Sequence, residues 1–184
     1  MLMVEREVKL RFGNPEQARA AIRAAGATPL RSRRLQEDVL LDTEDELLRR
    51  RRCVLRIRTE AGKSLLTFKG PVQPGAVKIR DEYETVIGDG EVLRHVLEEL
   101  GLHVWFRYEK YREEYAAEDV TIALDETPVG TFVEIEGGEP GIHAMTQALG
   151  RSAADFILDS YRGLFMQHRA RHGVDSDHMI FPEE

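Results

Sequence analysis

The sequence predicts an α+β domain in which an antiparallel sheet of about eight strands closes into a β-barrel with a charged interior and helices outside. Three observations support this fold class: most predicted strands alternate charged and apolar residues, segments between them have helical apolar spacing, and turn residues separate the strands. Because the helices need an apolar sheet surface to pack on, the charged faces are expected to point into the barrel.

Length and composition are those of one globular domain. The 184 residues are 42% hydrophobic and 32% charged, which argues against a disordered chain. The net charge of -7 argues against a general affinity for nucleic acid, and no apolar run approaches the roughly 18 residues of a membrane span. One cysteine, Cys53, allows no internal disulfide. We expect a cytoplasmic protein without nucleic-acid or membrane partners.

The first half of the chain contains one helix between strands. Residues 4–12 alternate charged and apolar side chains and form the first strand. Asn14 is a suitable N-cap with Pro15 in the first turn, and an apolar stripe then ends at Gly26. A short turn or helix is predicted at 43–48. The further strands predicted here are 31–42, 54–58, 65–69 and 78–86, the second and third of these joined as a hairpin at 61–63.

The second half has the same organisation. Asp89 can cap a helix that Gly101 ends. Strands are then predicted at 103–115, 120–125 and 130–136, followed by two helices within 140–173. We interpret residues 1–173 as a single domain and 174–184 as a loose C-terminal tail.

The charged faces of the strands define a candidate site. They carry Glu5, Glu7, Lys9, Arg56, Arg58, Lys69, Arg80, Glu82, Glu84, Lys110, Arg112, Asp125, Glu134 and Glu136. A lumen of mixed charge must hold water or a ligand, because isolated buried charges are costly. Arginine and lysine suit a polyanion with several phosphates, and the acidic residues suit Mg²⁺ or Mn²⁺. The lumen is therefore predicted to bind a metal-complexed polyphosphate.

The ordered motifs resemble those of the CYTH superfamily, the triphosphate tunnel metalloenzymes. The resemblance begins with Glu-x-Glu-x-Lys at 5–9 and spans roughly residues 1–165. The other matching segments are Leu-Arg-Ile-Arg at 55–58, Thr-Phe-Lys-Gly-Pro at 67–71, Lys-Ile-Arg-Asp-Glu-Tyr-Glu at 78–84, Glu-Lys-Tyr-Arg at 109–112, Leu-Asp-Glu-Thr-Pro-Val-Gly at 124–130, Phe-Val-Glu-Ile-Glu-Gly at 132–137 and Ser-Tyr at 160–161. A single Glu-x-Glu-x-Lys is a weak signal, whereas the ordered set is specific.

The resemblance implies an eight-stranded antiparallel tunnel that binds a small-molecule triphosphate with a divalent metal. It assigns metal binding to Glu5, Glu7, Asp125, Glu134 and Glu136. It assigns phosphate binding to Lys9, Arg56, Arg58, Lys69, Arg80, Lys110 and Arg112. Glu82 and Glu84 would support the metal ligands or hold a second metal, and Lys69, Glu7 and Glu134 are the expected catalytic residues. A homodimer is also expected by resemblance.

One position departs from the family pattern. Many relatives carry Asp-x-Tyr-Phe on the second strand, whereas this chain has Leu40 where that tyrosine would stand. Activation of water would then fall to the metal, with Lys69 assisting.

Three functions follow as alternatives. The leading one is metal-dependent hydrolysis of inorganic tripolyphosphate, thiamine triphosphate or a nucleoside triphosphate. The second is a class IV adenylyl cyclase, which would need a base pocket at one mouth of the tunnel. The third is a polyphosphate-binding module without catalysis, against which the five carboxylates argue.

Overall fold

The computed structural model describes residues 2–182, with side chains from residue 4 onward, and contains eight strands and five α-helices. The strands are β1 (Leu2–Phe12), β2 (Thr28–Thr43), β3 (Val54–Glu60), β4 (Lys63–Lys69), β5 (Lys78–Ile87), β6 (Leu102–Ala117), β7 (Val120–Thr127) and β8 (Gly130–Gly137). The helices are α1 (Pro15–Ala24), α2 (Leu47–Arg50), α3 (Gly90–Glu99), α4 (Glu139–Ala148) and α5 (Tyr161–His172). A 3₁₀ turn covers Ala153–Asp155.

The strands form one closed antiparallel barrel, which confirms the predicted fold class. Its order is β1-β5-β4-β3-β2-β6-β7-β8, and β1 closes the barrel by pairing with both β5 and β8. Consecutive hairpins account for β2 to β5 and for β6 to β8. Helix α1 connects β1 to β2, and α3 connects β5 to β6.

Local sequence explains where the helices begin. The Asn14 side chain accepts a hydrogen bond from the Gln17 N–H at 2.9 Å, and the Asp89 side chain accepts one from the Val92 N–H at 3.0 Å. Both predicted N-caps are therefore confirmed. Ser160 caps α5 in the same way.

One hydrophobic core lies outside the barrel wall, and a second apolar cluster around Phe106, Phe132 and Phe165 packs where α5 meets the barrel. The outward side chains of β1, β7 and β8 pack against α1 and α4. The fully buried aliphatic members of this outer core include Leu10, Ile122, Leu124, Ile135, Ile22 and Ile142. Because side chains alternate along a strand, this outer core sends the intervening charged residues into the lumen.

The two ends of the barrel differ. At one end β1, β2, β4 and β7 finish and β3, β5, β6 and β8 begin, and we call this the α5 end because the start of α5 packs there. Tyr161 from α5 reaches into the lumen and contacts the rings of Tyr108 and Phe132. The chain approaches α5 along β1, where the Ile157 N–H donates to the Lys9 carbonyl at 2.8 Å. The other end we call the far end.

The segment after α5 is packed rather than loose, in contrast to the prediction for the tail. Met179 is fully buried, its N–H donates to the Arg107 carbonyl, and its carbonyl accepts from the Glu109 N–H. The sequence suggested a loose tail because a short polar segment has no periodicity that reports docking. Residues 1, 183 and 184, at the ends of the predicted domain and tail, lie outside the described residues.

Within residues 2–182, no helix combines the length and the apolar composition needed to cross a membrane.

Candidate active site in the barrel lumen

The lumen contains a cavity of about 550 Å³ that gathers predicted site residues from six strands. Thirteen of the fourteen line it: Glu5, Glu7, Lys9, Arg56, Arg58, Lys69, Arg80, Glu82, Glu84, Lys110, Arg112, Glu134 and Glu136. Thirteen basic and eight acidic side chains line the cavity in all, although the whole chain has a net charge of -7. The positive charge is thus concentrated where an anionic ligand would bind.

Asp125 is the exception, because it lies behind the cavity wall. It is fully buried, and its carboxylate accepts hydrogen bonds from Lys110 at 2.8 Å, from Arg112 at 2.7 Å and from the Tyr161 hydroxyl at 2.5 Å. Burial, together with the Arg112 cation, lowers the pKa of Lys110 to about 8. The geometry presents Asp125 as an anchor for two lumen cations, and its predicted role as a metal ligand stays a prediction.

Glu134 joins the same network from β8. Its carboxylate lies 3.0 Å from the Lys9 ammonium and also contacts Arg112. Burial opposes ionisation of Glu134, but Lys9, Lys110 and Arg112 together hold its pKa well below the usual range. The Glu134 carboxylate therefore contacts a lysine and an arginine that both line the cavity.

Arg56 and Arg58 come from β3, and both contact the buried Asp38 of β2. Arg58 binds Asp38 through two hydrogen bonds of 2.9 and 3.2 Å, and the Arg56 Nε lies 3.4 Å from the same carboxylate. Arg56 also donates to the Thr67 hydroxyl, which in turn donates to Glu84 at 2.8 Å. These contacts fix the two guanidinium groups before any ligand binds.

The remaining acidic residues form a group on β1 and β8. Glu7 and Glu136 are direct partners in the β1–β8 ladder, and Glu5 precedes Glu7 on the same face. Burial and the neighbouring carboxylates of Glu5 and Glu7 raise the pKa of Glu136 to about 7. Burial and Glu7 also raise the pKa of Glu5, although Lys69 opposes the rise. Glu5, Glu7 and Glu136 thus form an acidic group in which like charges repel.

Two lysines partly neutralise this acidic group. The Lys69 ammonium lies 2.5 Å from Glu5 and 2.8 Å from Glu82. Lys78 contacts Glu7. Although burial opposes ionisation, Lys78 in particular lowers the pKa of Glu7 to about 2.

The acidic group fits the divalent cation that the family uses, by its chemistry. The Glu5 Oε2 atom is buried and has no hydrogen-bond partner, and burial together with Glu5 and Glu7 raises the pKa of Glu136, an effect that a bound cation would oppose. As they stand, no three carboxylate, imidazole or thiol groups of residues 2–182 converge closely enough to hold a metal ion. Lys69 contacts the other Glu5 oxygen, Oε1, and Lys78 contacts Glu7 Oε1.

Arg80 differs from the other six predicted phosphate-binding residues, each of which contacts a carboxylate. It is 8% exposed, its Nε has no hydrogen-bond partner, and no carboxylate of residues 4–182 forms an ion pair with it. A buried guanidinium without an anion is costly, so an anionic ligand would be stabilised at this position.

Sequence reasoning missed three residues of the site. Lys78 shares a strand face with Arg80, a signal that could have added it to the phosphate-binding set. Asp38 follows Gln36 and Glu37 on β2, so no charge alternation in the sequence marks it as a lumen residue. Tyr161 enters the lumen from a helix, and strand alternation cannot predict that. Leu40 lines the cavity where the family tyrosine was expected, and no tyrosine replaces it on β2.

Comparisons with known proteins agree with this architecture. The family model described as the CYTH domain matches residues 3–161. A protein of Methanocaldococcus jannaschii that is named as a candidate adenylate cyclase is 30% identical over 135 residues, which cover 73% of this chain and 77% of that protein.

Solved structures share the fold. A Pyrococcus horikoshii protein aligns with a TM-score of 0.74 and 28% identity, over 90% of this chain and 99% of that one. A candidate adenylyl cyclase from Hippeastrum, described as having a dominant triphosphatase activity, aligns with a TM-score of 0.65 and 20% identity, over 91% of this chain and 96% of that one. The second likeness concerns the fold alone. With the family model matching most of the chain and the lumen built as described, this protein belongs to the CYTH family.

Proposed function

We propose that this protein is a divalent-metal-dependent hydrolase that removes the terminal phosphoryl group of a triphosphate bound in the barrel lumen. The observation that carries the proposal is Arg80, a buried guanidinium without an ion-pair partner among residues 4–182, which lines the same cavity as the acidic group. A ligand that suits both must bring anionic oxygens to Arg80 and a cation to Glu5, Glu7 and Glu136. A metal-complexed polyphosphate has this composition.

The lumen cations would bind and orient the phosphate chain. Arg56, Lys110 and Arg80 line the cavity, the first two already held by hydrogen bonds to Thr67 and Asp125. Because these groups are oriented in the folded protein, they need little rearrangement to stabilise the charge on a phosphoryl group during transfer. Lys110 has the lowered pKa of a desolvated lysine, and an incoming phosphate would favour its charged form.

The acidic residues and Lys69 would act where the terminal phosphate lies. Glu5, Glu7 and Glu136 would hold the divalent cation, which supplies Lewis-acid polarisation of a phosphate oxygen when it is bound. Lys69 lies between Glu5 and Glu82, so its ammonium can move from carboxylate to phosphate without leaving the site. Glu134 would keep Lys9 and Arg112 aimed at the phosphates.

Product analysis tests this proposal. Purified protein is incubated separately with tripolyphosphate, thiamine triphosphate and ATP, with Mg²⁺ or Mn²⁺ or with a chelator, and the products are separated by chromatography. We expect orthophosphate from at least one substrate only when metal is present. Release of orthophosphate that is insensitive to chelation would contradict the assigned role of the acidic group.

The second candidate is adenylyl cyclisation, which the name of the Methanocaldococcus jannaschii relative favours. Both reactions use the same triphosphate site, but cyclisation attacks the α-phosphate and releases pyrophosphate. Cyclic AMP with pyrophosphate as products of ATP would replace the hydrolase proposal with the cyclase. The dominant triphosphatase activity described for the Hippeastrum protein supports hydrolysis on this fold.

A third outcome is binding without turnover. Calorimetric titration of tripolyphosphate in the presence of Mg²⁺ would then show tight binding that Arg80→Met weakens, while no product appears with any substrate. This result would identify a polyphosphate-binding module.

A further inference from the structure

The α5 end of the cavity has a mouth that the triphosphate chemistry does not use. Trp105 forms one side of it, with Leu40 and Val54 as apolar neighbours in the cavity wall. The Arg49 and Arg162 guanidinium carbons lie 4.4 and 4.8 Å from the centre of the Trp105 ring. Cation–π contacts on this scale hold an indole in a defined orientation. The indole of Trp105 therefore lies against two guanidinium groups at this mouth, and a planar ligand that stacks on it would displace one of them.

A β-bulge places Trp105 at this mouth. Leu40 pairs with Phe106 in the β2–β6 ladder, whereas the next residue, Leu41, pairs with Val104, so Trp105 has no partner on β2. An unmatched residue in an antiparallel ladder changes the direction of its side chain. Without the bulge, alternation from the lumen residue Tyr108 would turn Trp105 to the outside of the barrel.

The charges at the mouth are only partly neutralised. Arg49 contacts Asp42 at 3.2 Å and Glu46 at 3.0 Å. Arg162 forms no ion pair with any carboxylate of residues 4–182, and burial together with the Arg49 cation lowers its pKa. A cationic group would be repelled here, whereas a neutral or electron-rich ring would be accepted.

The far end of the cavity has a different character. Arg34 contacts Glu60 at 3.1 Å and Glu114 at 2.9 Å, and Arg31 contacts both carboxylates at longer distances. These paired charges make the far end polar, and Leu65 near the beginning of β4 contributes an aliphatic rather than an aromatic surface to the lining. Only the α5 end offers the cavity an aromatic platform among its lining residues in the described chain.

From these observations we infer that the substrate is a nucleoside triphosphate whose base stacks on Trp105 at the α5 end. The inference rests on the proposed triphosphate site and names the group attached to the α-phosphate. Inorganic tripolyphosphate has no apolar part to use this platform. In thiamine triphosphate, the cationic thiazolium and the protonatable pyrimidine would lie beside the Arg162 cation, which would repel them. A nucleobase is planar and neutral, and it stacks well on indole and guanidinium surfaces.

The polarity of the barrel agrees with hydrolysis of such a substrate. Trp105 lies at the beginning of β6, at the α5 end. Glu5 lies near the beginning of β1 and Glu136 near the end of β8, so both lie toward the far end of an antiparallel barrel. A nucleotide with its base on Trp105 would extend its triphosphate inward and bring the terminal phosphate, rather than the α-phosphate, toward the acidic group.

Fluorescence tests the stacking directly, because Trp105 is the single tryptophan of the sequence. The protein is titrated with β,γ-methylene ATP and Mg²⁺, with free tryptophan as the control for light absorbed by the base. Stacking should quench the emission, and saturating tripolyphosphate added first should prevent the quenching. A saturable binding isotherm for the analogue by calorimetry, without a change in emission, would overturn the inference.

Variants separate this inference from the proposed function. We expect Trp105→Leu to lower the ratio of kcat/KM for ATP to kcat/KM for tripolyphosphate by about tenfold, since a stacked base contributes this much or more. Trp105→Phe should recover most of the ratio because it keeps an aromatic face. An unchanged ratio in Trp105→Leu would contradict the nucleobase site but not the proposed triphosphatase activity. Failure of the wild-type protein to turn over either substrate would instead count against the proposed function.

Discussion

Glu5 and Arg80 are direct partners in the β1–β5 ladder, yet they do not form an ion pair. The Glu5 carboxylate lies 2.5 Å from Lys69 instead, and Arg80 is left without a carboxylate among residues 4–182. Opposite charges placed side by side usually pair, so this arrangement keeps one lumen cation available. In a charged core without a ligand, each cation would be neutralised by a carboxylate of the same chain. Arg80 is not neutralised in this way, as expected for a lumen that binds an anion.

Arg80→Met should weaken substrate binding without destabilising the fold. The substitution removes a buried cation that has no carboxylate partner, so no anion is left stranded. Loss of one charge-assisted contact to phosphate corresponds to an increase in KM of about 10- to 100-fold. Steady-state kinetics and thermal unfolding of the same preparation measure both effects.

Arg58→Met is the matched control. It leaves the fully buried Asp38 without its two strongest hydrogen bonds, and we expect unfolding to become easier by about 3 to 5 kcal/mol. Equal stability losses in the two variants would show that Arg80 has a partner in solution.

Glu7 and Lys78 should be strongly coupled in stability. Glu7→Gln removes the charge that Lys78 contacts and leaves a buried ammonium unpaired. The double variant Glu7→Gln with Lys78→Met should therefore lose less free energy of unfolding than the two single variants lose in sum. We expect a difference of about 1 kcal/mol or more, measured by urea denaturation. Activity should not return in the double variant, because Glu7 is expected to hold the metal. Additive stability effects would contradict the buried ion pair.

Lowering the pH should remove the contribution that the ionised Asp42 carboxylate makes to the free energy of unfolding. Its carboxylate is fully buried, and although burial opposes ionisation, hydrogen bonds from the N–H groups of Leu48, Arg49 and Thr43 lower its pKa. A carboxyl whose pKa is lower in the folded protein than in the unfolded chain stabilises the fold when it is ionised. This stabilisation is complete at pH values above the unfolded pKa of about 3.9, and it is lost as the pH falls through the pKa of the folded protein.

We therefore expect Asp42→Asn to lower the free energy of unfolding by about 1 to 3 kcal/mol at pH 7. The difference from wild type should shrink below about pH 4, where the Asp42 carboxyl of the unfolded chain begins to protonate while that of the folded protein is still ionised. Chemical denaturation at several pH values measures this, and a difference that stays constant down to pH 2 would refute the account.

Met179 should contribute to stability although it lies in the segment expected to be a loose tail. Its side chain is fully buried beside Tyr108, Phe106 and Phe165 in one apolar cluster. Met179→Ala should destabilise the protein by about 2 to 5 kcal/mol, as other large-to-small core substitutions do. The exposed neighbour Ile180→Ala is the control and should have a much smaller effect. Similar small effects for both would mean that the segment is undocked in solution.

The sequence by itself determined which strand faces are charged. Period-two alternation around Glu5, Glu7 and Lys9, repeated at Arg56 and Arg58 and at Glu134 and Glu136, was enough to predict the closed barrel and thirteen of the residues that line its cavity. Alternation is a local property of the backbone, so it can be read without knowing the fold.

The tertiary structure decided how these charges are shared. Strands that are distant in sequence set these pairings through their tilt and register. They decide that Lys69 contacts Glu5, that Arg80 has no carboxylate partner among residues 4–182, and that Asp125 lies behind the cavity wall. The position of Trp105 depends on a bulge opposite Leu40, and that of Tyr161 on a helix that enters the lumen from outside the sheet. These relationships come from non-local packing, and no periodicity along the chain reports them.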